Sequence, residues 1–165
     1  MHIRNSKDED LKHKEFLGDG ISDPRIELIK AMIRDLGTTG TILVWNQTFE
    51  ITRLKELARD FPQYASKINS ILERIVDLMV PFRNKSIVFP EFNHSYSIKK
   101  VLPVLVPELS YDELEIKEGG SASMIYGNLK NESLEKQEEI RKHLLAYCHL
   151  DTLAMVKILK RMRNI

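Results

Sequence analysis

Thr41-Ile42-Leu43-Val44-Trp45-Asn46-Gln47-Thr48-Phe49-Glu50 is the stretch whose reading decides the fold. Its first five residues are β-branched, aliphatic or aromatic and follow Gly37 and Gly40, which marks a short buried strand. The strand runs straight into Asn46, and beyond it Leu54, Leu57 and Ala58 fall at helical spacing. Glu50 therefore lies in the first turn of a helix leaving the end of a strand. Carboxyl ends of strands are where ligand sites gather in α/β folds, which makes Glu50 a candidate acid. A glutamate in a first helical turn also complements the macrodipole with no further purpose.

Upstream, Asp23 as N-cap and Pro24 at the first helical position open a helix whose buried stripe is Ile26, Ile29, Ile33 and Leu36, and Gly37 closes it. Downstream, the helix carrying Glu50 reaches about Asp60 and stops before Pro62. An amphipathic helix then runs through Ile68, Ile71, Leu72 and Ile75. Asp77 is read as an exposed residue at its end, with a further acid near the site as the alternative. Residues 83–96 are aromatic and proline-interrupted, a loop with one short strand. Ser97 caps a helix shortened by Pro103, and Gly119-Gly120 forms a hinge before a helix from about Ser121. A long helix extends from about Ser133 to Arg163. The strand at 41–45 is expected to pair with a strand near the N-terminus, leaving an exposed sheet edge open to dimerisation.

That last helix holds a second candidate acid. Leu144-Leu145-Ala146-Tyr147-Cys148-His149-Leu150-Asp151-Thr152-Leu153-Ala154-Met155-Val156 is apolar on nearly every face, and its i,i+4 spacing sets Tyr147 beside Asp151. Burying an unpaired carboxylate costs several kcal/mol, so Asp151 calls for a donor, a base or a metal ion. A carboxylate beside a phenol suits metal-assisted hydrolysis, with the acid on a cation and the phenol positioning water. The plain alternative is a solvated aspartate beside a core tyrosine. His143 shares the face of Tyr147. His2, His13, His94 and His149 show no metal-ligand spacing along the chain.

Taken together, these segments resemble a known family. Asn46-Gln47-Thr48-Phe49-Glu50 after a strand, with Tyr147-Cys148-His149-Leu150-Asp151 far downstream, is similar to the second and third motifs of the DEDD exonucleases. These are the DnaQ-like 3′–5′ exonucleases of the RNase H fold, and the tyrosine matches the DEDDy branch. In the histidine branch the base stands five residues before the aspartate, where this chain has Ala146. Within this group the chain is similar to the DUF2779 family of predicted nuclease domains. Trp45 to Glu50, Arg74-Ile75-Val76-Asp77-Leu78, Ser97 to Pro103 and Tyr147 to Thr152 carry that likeness, which runs from about Phe16 to the C-terminus.

The resemblance implies a helix-rich α/β domain, RNase H-like, hydrolysing nucleic-acid phosphodiesters from the 3′ end of single-stranded DNA or RNA. It implies Glu50 and Asp151 as carboxylates of a two-cation Mg2+ or Mn2+ site, with Tyr147 orienting water. Asn46 would shape the turn presenting Glu50 or touch substrate, and Lys99 and Lys100 would face phosphates. One departure stands out: no strand-like segment carries the family's leading Asp-x-Glu. Asp8-Glu9-Asp10 lies in a polar stretch, and Asp112-Glu113-Leu114-Glu115 has the wrong order. The expectation is one partial domain over 1–165, truncated at its N-terminal edge and weak or inactive as a nuclease. It would depend on a missing N-terminal segment or a larger nuclease. The rival readings are a non-catalytic module that stacks single-stranded bases on Phe89, Phe92 and Tyr96, and a purely structural piece.

Composition agrees with one globular domain: 165 residues, 42% hydrophobic, 30% charged. A net charge of +1 argues against wrapping duplex DNA by charge alone. Lone Cys148 excludes an intramolecular disulfide and reads as a core thiol. With no apolar run of ~18 residues and no signal peptide, the expectation is a cytoplasmic protein without a membrane segment.

Overall fold

The computed structural model describes residues 1–4 and 10–164; Asp8 and Glu9 of the acidic cluster lie outside the described residues. Among the described residues the strands and α-helices run in the order β1 (His2–Ile3), β2 (Lys12–His13), α1 (Arg25–Leu36), β3 (Ile42–Val44), α2 (Gln47–Asp60), α3 (Ala65–Leu72), β4 (Ile75–Asp77), α4 (Val80–Arg83), α5 (Ile98–Leu105), α6 (Gly119–Asn128) and α7 (Leu134–Met162). The architecture is mixed α/β and dominated by helix. The strands form two separate pairs, β1 antiparallel to β2 and β3 parallel to β4.

The expected partner of β3 is therefore corrected. Ile42, Leu43 and Val44 pair with Ile75, Val76 and Asp77, and the N-terminal strand pairs with β2 instead. The helix expected to run through Ile75 ends at Leu72. Arg74 explains the break. Its guanidinium donates to the carbonyls of Leu36 (3.2 Å), Gly37 (2.9 Å) and Gly40 (3.2 Å), and also to Thr39. Its own carbonyl accepts from Ile42 N (2.9 Å), so one residue stitches the α1–β3 loop to the start of the strand pair. A planar fork with five donors suits this gathering of carbonyls. Gly37, at φ 55, makes the turn that brings them round.

Helix boundaries elsewhere follow the sequence closely. The N-cap of α1 is Pro24 and not Asp23 as expected; Asp23, one residue earlier, accepts from Arg25 N at 3.0 Å. Ser133 accepts from Lys136 N at the head of α7. Gly119 and Gly120 belong to the first turn of α6 rather than to a hinge before it, and residues 83–96 contain a 3-10 turn (Pro90–Phe92) but no strand.

Two apolar clusters hold the elements together. Ile29 of α1, Leu54 of α2, and Ile68 and Ile71 of α3 form the smaller. The larger gathers Phe82, Phe92, Val101, Leu102, Leu144, Leu150, Ala154 and Ile158 under α7. Trp45, one residue past β3, bridges toward the larger cluster. Its ring lies 5.5 Å from that of Phe82, and its Nε1–H donates to Tyr96 O at 3.1 Å. No helix among the described residues is long and apolar enough to cross a membrane.

Candidate functional site

Asp151 sits half-buried on α7, and three side chains surround it. The Tyr111 hydroxyl donates to Asp151 Oδ1 at 2.6 Å. Tyr147, buried one helical turn earlier, has its ring 6.1 Å from that of Tyr111. Lys99 Nζ stands 5.6 Å over the Tyr111 ring and 5.9 Å over the Tyr147 ring, and it donates to the carbonyl of Lys117. A cation above two aromatic faces is held by their quadrupoles and by the carboxylate at once. Thus Lys99, singled out separately in the sequence, joins the expected pair of Tyr147 and Asp151 in one constellation. Lys100 is exposed on the next turn face of α5 and takes no part.

The electrostatics divide the roles. Burial raises the Asp151 pKa, while the Tyr111 and Tyr147 hydroxyls and the Lys99 charge oppose the rise. Both phenols are pushed well above their ordinary value, first by burial and then by the neighbouring carboxylate. Protonated phenols donate hydrogen bonds and do not abstract protons at neutral pH. Tyr147 can therefore hold a water or an oxyanion in place, but it is not a general base.

A second group lies at the carboxyl ends of β3 and β4. Asn46 has φ 71, a left-handed conformation that asparagine tolerates, and this turn swings the chain from β3 into α2. Asp77 Oδ1 accepts from Asn46 N at 3.1 Å and from Met79 N at 2.9 Å. Asp77 is only 5% exposed. It is thus a buried bracket between two strand ends, not the exposed helix-end residue that the periodicity suggested. Glu50 is half-buried in the first turn of α2, with its pKa raised by burial. Among the described residues it has no hydrogen-bond or ion-pair partner, and none joins it to Asp151.

Two sequence expectations change here. Phe92, expected to stack bases, is 2% exposed and lies in the core. Phe49, beside Glu50, is instead 61% exposed, with the Arg53 guanidinium 5.8 Å over its ring. Cys148 is on an exposed face of α7, although local burial and then the Asp151 charge raise its thiol pKa. Tyr111 was missed altogether. It stands in an irregular Ser110-Tyr111-Asp112 segment with no period to announce it.

A family model described as a domain of unknown function, DUF2779, matches residues 1–97. A protein of Ureaplasma parvum serovar 3 (strain ATCC 700970), "Uncharacterized protein UU173", is 35% identical over 120 residues. That alignment covers 60% of this chain and 17% of the relative, so the chain spans a small part of the relative's length. No solved structure matches the chain.

Proposed function

We propose, for a chain that belongs to the DUF2779 family, a metal-dependent nuclease-like domain of RNase H type acting on the 3′ ends of single-stranded nucleic acid. The observation that carries this reading is the half-buried Asp151 with two protonated phenols and Lys99 around it. Glu50 supports it from the end of β3, as a desolvated acid without a protein partner among the described residues.

Each of the two carboxylates offers the kind of oxygen a hard divalent cation takes. Tyr111 donates to Asp151 Oδ1, and Glu50 has no hydrogen-bond or ion-pair partner among the described residues. Carboxylate oxygens are what Mg2+ and Mn2+ prefer. Such a cation, held by Asp151 and Glu50, would supply a more acidic water and neutralise phosphate charge. Tyr147 would orient that water by donating a hydrogen bond. Tyr111 would fix the Asp151 rotamer, so that the carboxylate need not reorganise when substrate arrives. Lys99, already partly desolvated over the two rings, would attract a backbone phosphate. Two carboxylates are few for a two-cation centre, so the chain alone should be slow, and a complete centre would need further ligands beyond Asp151 and Glu50.

A second reading, retention of single strands without cleavage, is favoured by exposed Phe49 next to Asn46 and Glu50. Bases stack on such a ring at about 1–3 kcal/mol each. The test is 3′-labelled single-stranded DNA and RNA with Mn2+, assayed on the chain, Asp151→Asn, Tyr147→Phe and the full-length Ureaplasma relative. Metal-dependent 3′ trimming lost in Asp151→Asn is expected, weak in the chain and stronger in the relative. Metal-independent binding abolished by Phe49→Ala, with no cleavage by either protein, would replace the nuclease reading with the binding one.

A further inference from the structure

The three histidines dispersed along the sequence meet in space. His2 of β1 and His13 of β2 are register partners, and His149 of α7 closes over them. Their ring centroids are separated by 4.7 Å (His2 to His13), 4.7 Å (His2 to His149) and 4.4 Å (His13 to His149). One nitrogen of each lies within 4.8 Å of the others.

Hydrogen bonding fixes which nitrogens carry protons. His13 Nε2 is 3.0 Å from Glu15 Oε2, and a carboxylate only accepts, so Nε2 bears the hydrogen and Nδ1 keeps its lone pair. That Nδ1 is buried and has no hydrogen-bond partner. His2 Nδ1 is 2.7 Å from Thr152 Oγ1. Thr152 spends its own hydrogen on the carbonyls of Cys148 and His149, so it accepts from His2 and leaves His2 Nε2 as a lone pair. His149 makes no side-chain hydrogen bond among the described residues. One nitrogen of each ring thus lies near the other two, and the buried His13 Nδ1 has no hydrogen-bond partner, an arrangement that costs free energy until a ligand arrives.

We propose that His2, His13 and His149 form a binding site for a borderline divalent cation of the zinc class. Imidazole nitrogens select zinc, cobalt, nickel or copper over magnesium or calcium. The outer bonds from His13 to Glu15 and from His2 to Thr152 have the form that orients metal-bound histidines elsewhere. The rings need little movement, because tetrahedral ligands at about 2.0–2.1 Å lie roughly 3.4 Å apart. Neutral rings bind metal without first losing a proton. Burial, and then the proximity of His13 and His149, lowers the His2 pKa to about 4. Burial and then His13 lower that of His149. Three protein nitrogens leave a fourth position for water, and His149 and Glu15 border an open depression. This site is separate from the Asp151 constellation, and it clamps the β1–β2 hairpin onto α7.

The test uses tag-free chain, because an affinity tag of histidines would bind the same ions. Isothermal titration with Zn2+ and visible absorption with Co2+ are compared for the parent, His149→Gln, and the His2→Gln/His13→Gln double variant. Circular dichroism checks that each is folded. The expected result is one equivalent of Zn2+ bound at micromolar or lower Kd. It should come with an intense tetrahedral Co2+ spectrum, weakened at least tenfold in His149→Gln and abolished in the double variant. Mg2+ should not compete. Absence of Zn2+ binding by the parent, or equal binding by folded parent and variants, would overturn the proposal. Should a variant fail to fold, Cys148→Ser serves as a folded control. Tetrahedral Co2+ coordination that acquires thiolate character dependent on Cys148 would likewise refute an all-histidine site.

Discussion

Replacing Asp77 with alanine should unfold this protein more readily than any surface change, and the reason can be worked out atom by atom. The side chain is 5% exposed, and its Oδ1 accepts from two backbone amides, Asn46 N at 3.1 Å and Met79 N at 2.9 Å. Alanine leaves both amides without that acceptor, and each costs about 1–3 kcal/mol. Removing a buried carboxylate returns part of this. Arg83, 3.8 Å from Oδ2 and half exposed, adds little. The net loss should be about 3 kcal/mol, which for a domain of this size lowers Tm by about 6–12 °C. Asp77→Asn keeps an acceptor at Oδ1 and should lose only about 1 kcal/mol. Urea unfolding followed by circular dichroism measures both variants, with an unchanged m-value confirming a comparable transition. Should asparagine prove as damaging as alanine, the bracket would depend on charge and not on the acceptor, and the reasoning would fail.

Arg74→Lys should cost about 2 kcal/mol despite conserved charge, since an ammonium cannot span the carbonyls of Leu36, Gly37 and Gly40. Hydrogen exchange should accelerate across residues 37–42 and little elsewhere. Tyr111→Phe should lower stability by about 1–2 kcal/mol and raise the Asp151 pKa further, because the lost hydroxyl now lowers it. Carboxyl-carbon NMR titration reads that shift, and a pKa that falls would contradict the assignment. Asn46→Gly should be nearly neutral while Asn46→Val costs over about 1 kcal/mol, since only the former accepts φ 71 without strain. Equal melting temperatures for the two would argue against the left-handed turn.

The sequence revealed some of this and concealed the rest for physical reasons. β3, the turn at Asn46 and the position of Glu50 were readable because a β-branched run meets a helical period within a few residues. α7 was readable from its length and Ser133 cap. β4 was not, because Ile75 continues the spacing of Ile68, Ile71 and Leu72, and three residues of strand cannot overrule a helical period. Cys148 was misplaced because apolar residues on nearly every face of α7 hide which side meets the core. Tyr111 and the histidine triad depend on closures across the whole chain, which no local pattern encodes. Lys99 was chosen for its charge, and its company of two aromatic rings emerged only from α5 packing on α7.

The parallel pair β3–β4 has a consequence for the order in which the chain assembles. Parallel strands cannot be joined by a tight turn, so everything from Asn46 to Arg74 must already be compact before Ile42 can meet Ile75. α2 and α3 make their contacts locally and can form early, whereas the strand pair waits on closure of that long intervening segment. β4 is then the latch that shuts last. Weakening it, as by Val76→Gly on its exposed side, should hasten escape from the native state while leaving the rate of entry almost untouched. Resistance to proteolysis should fall in step with that faster escape.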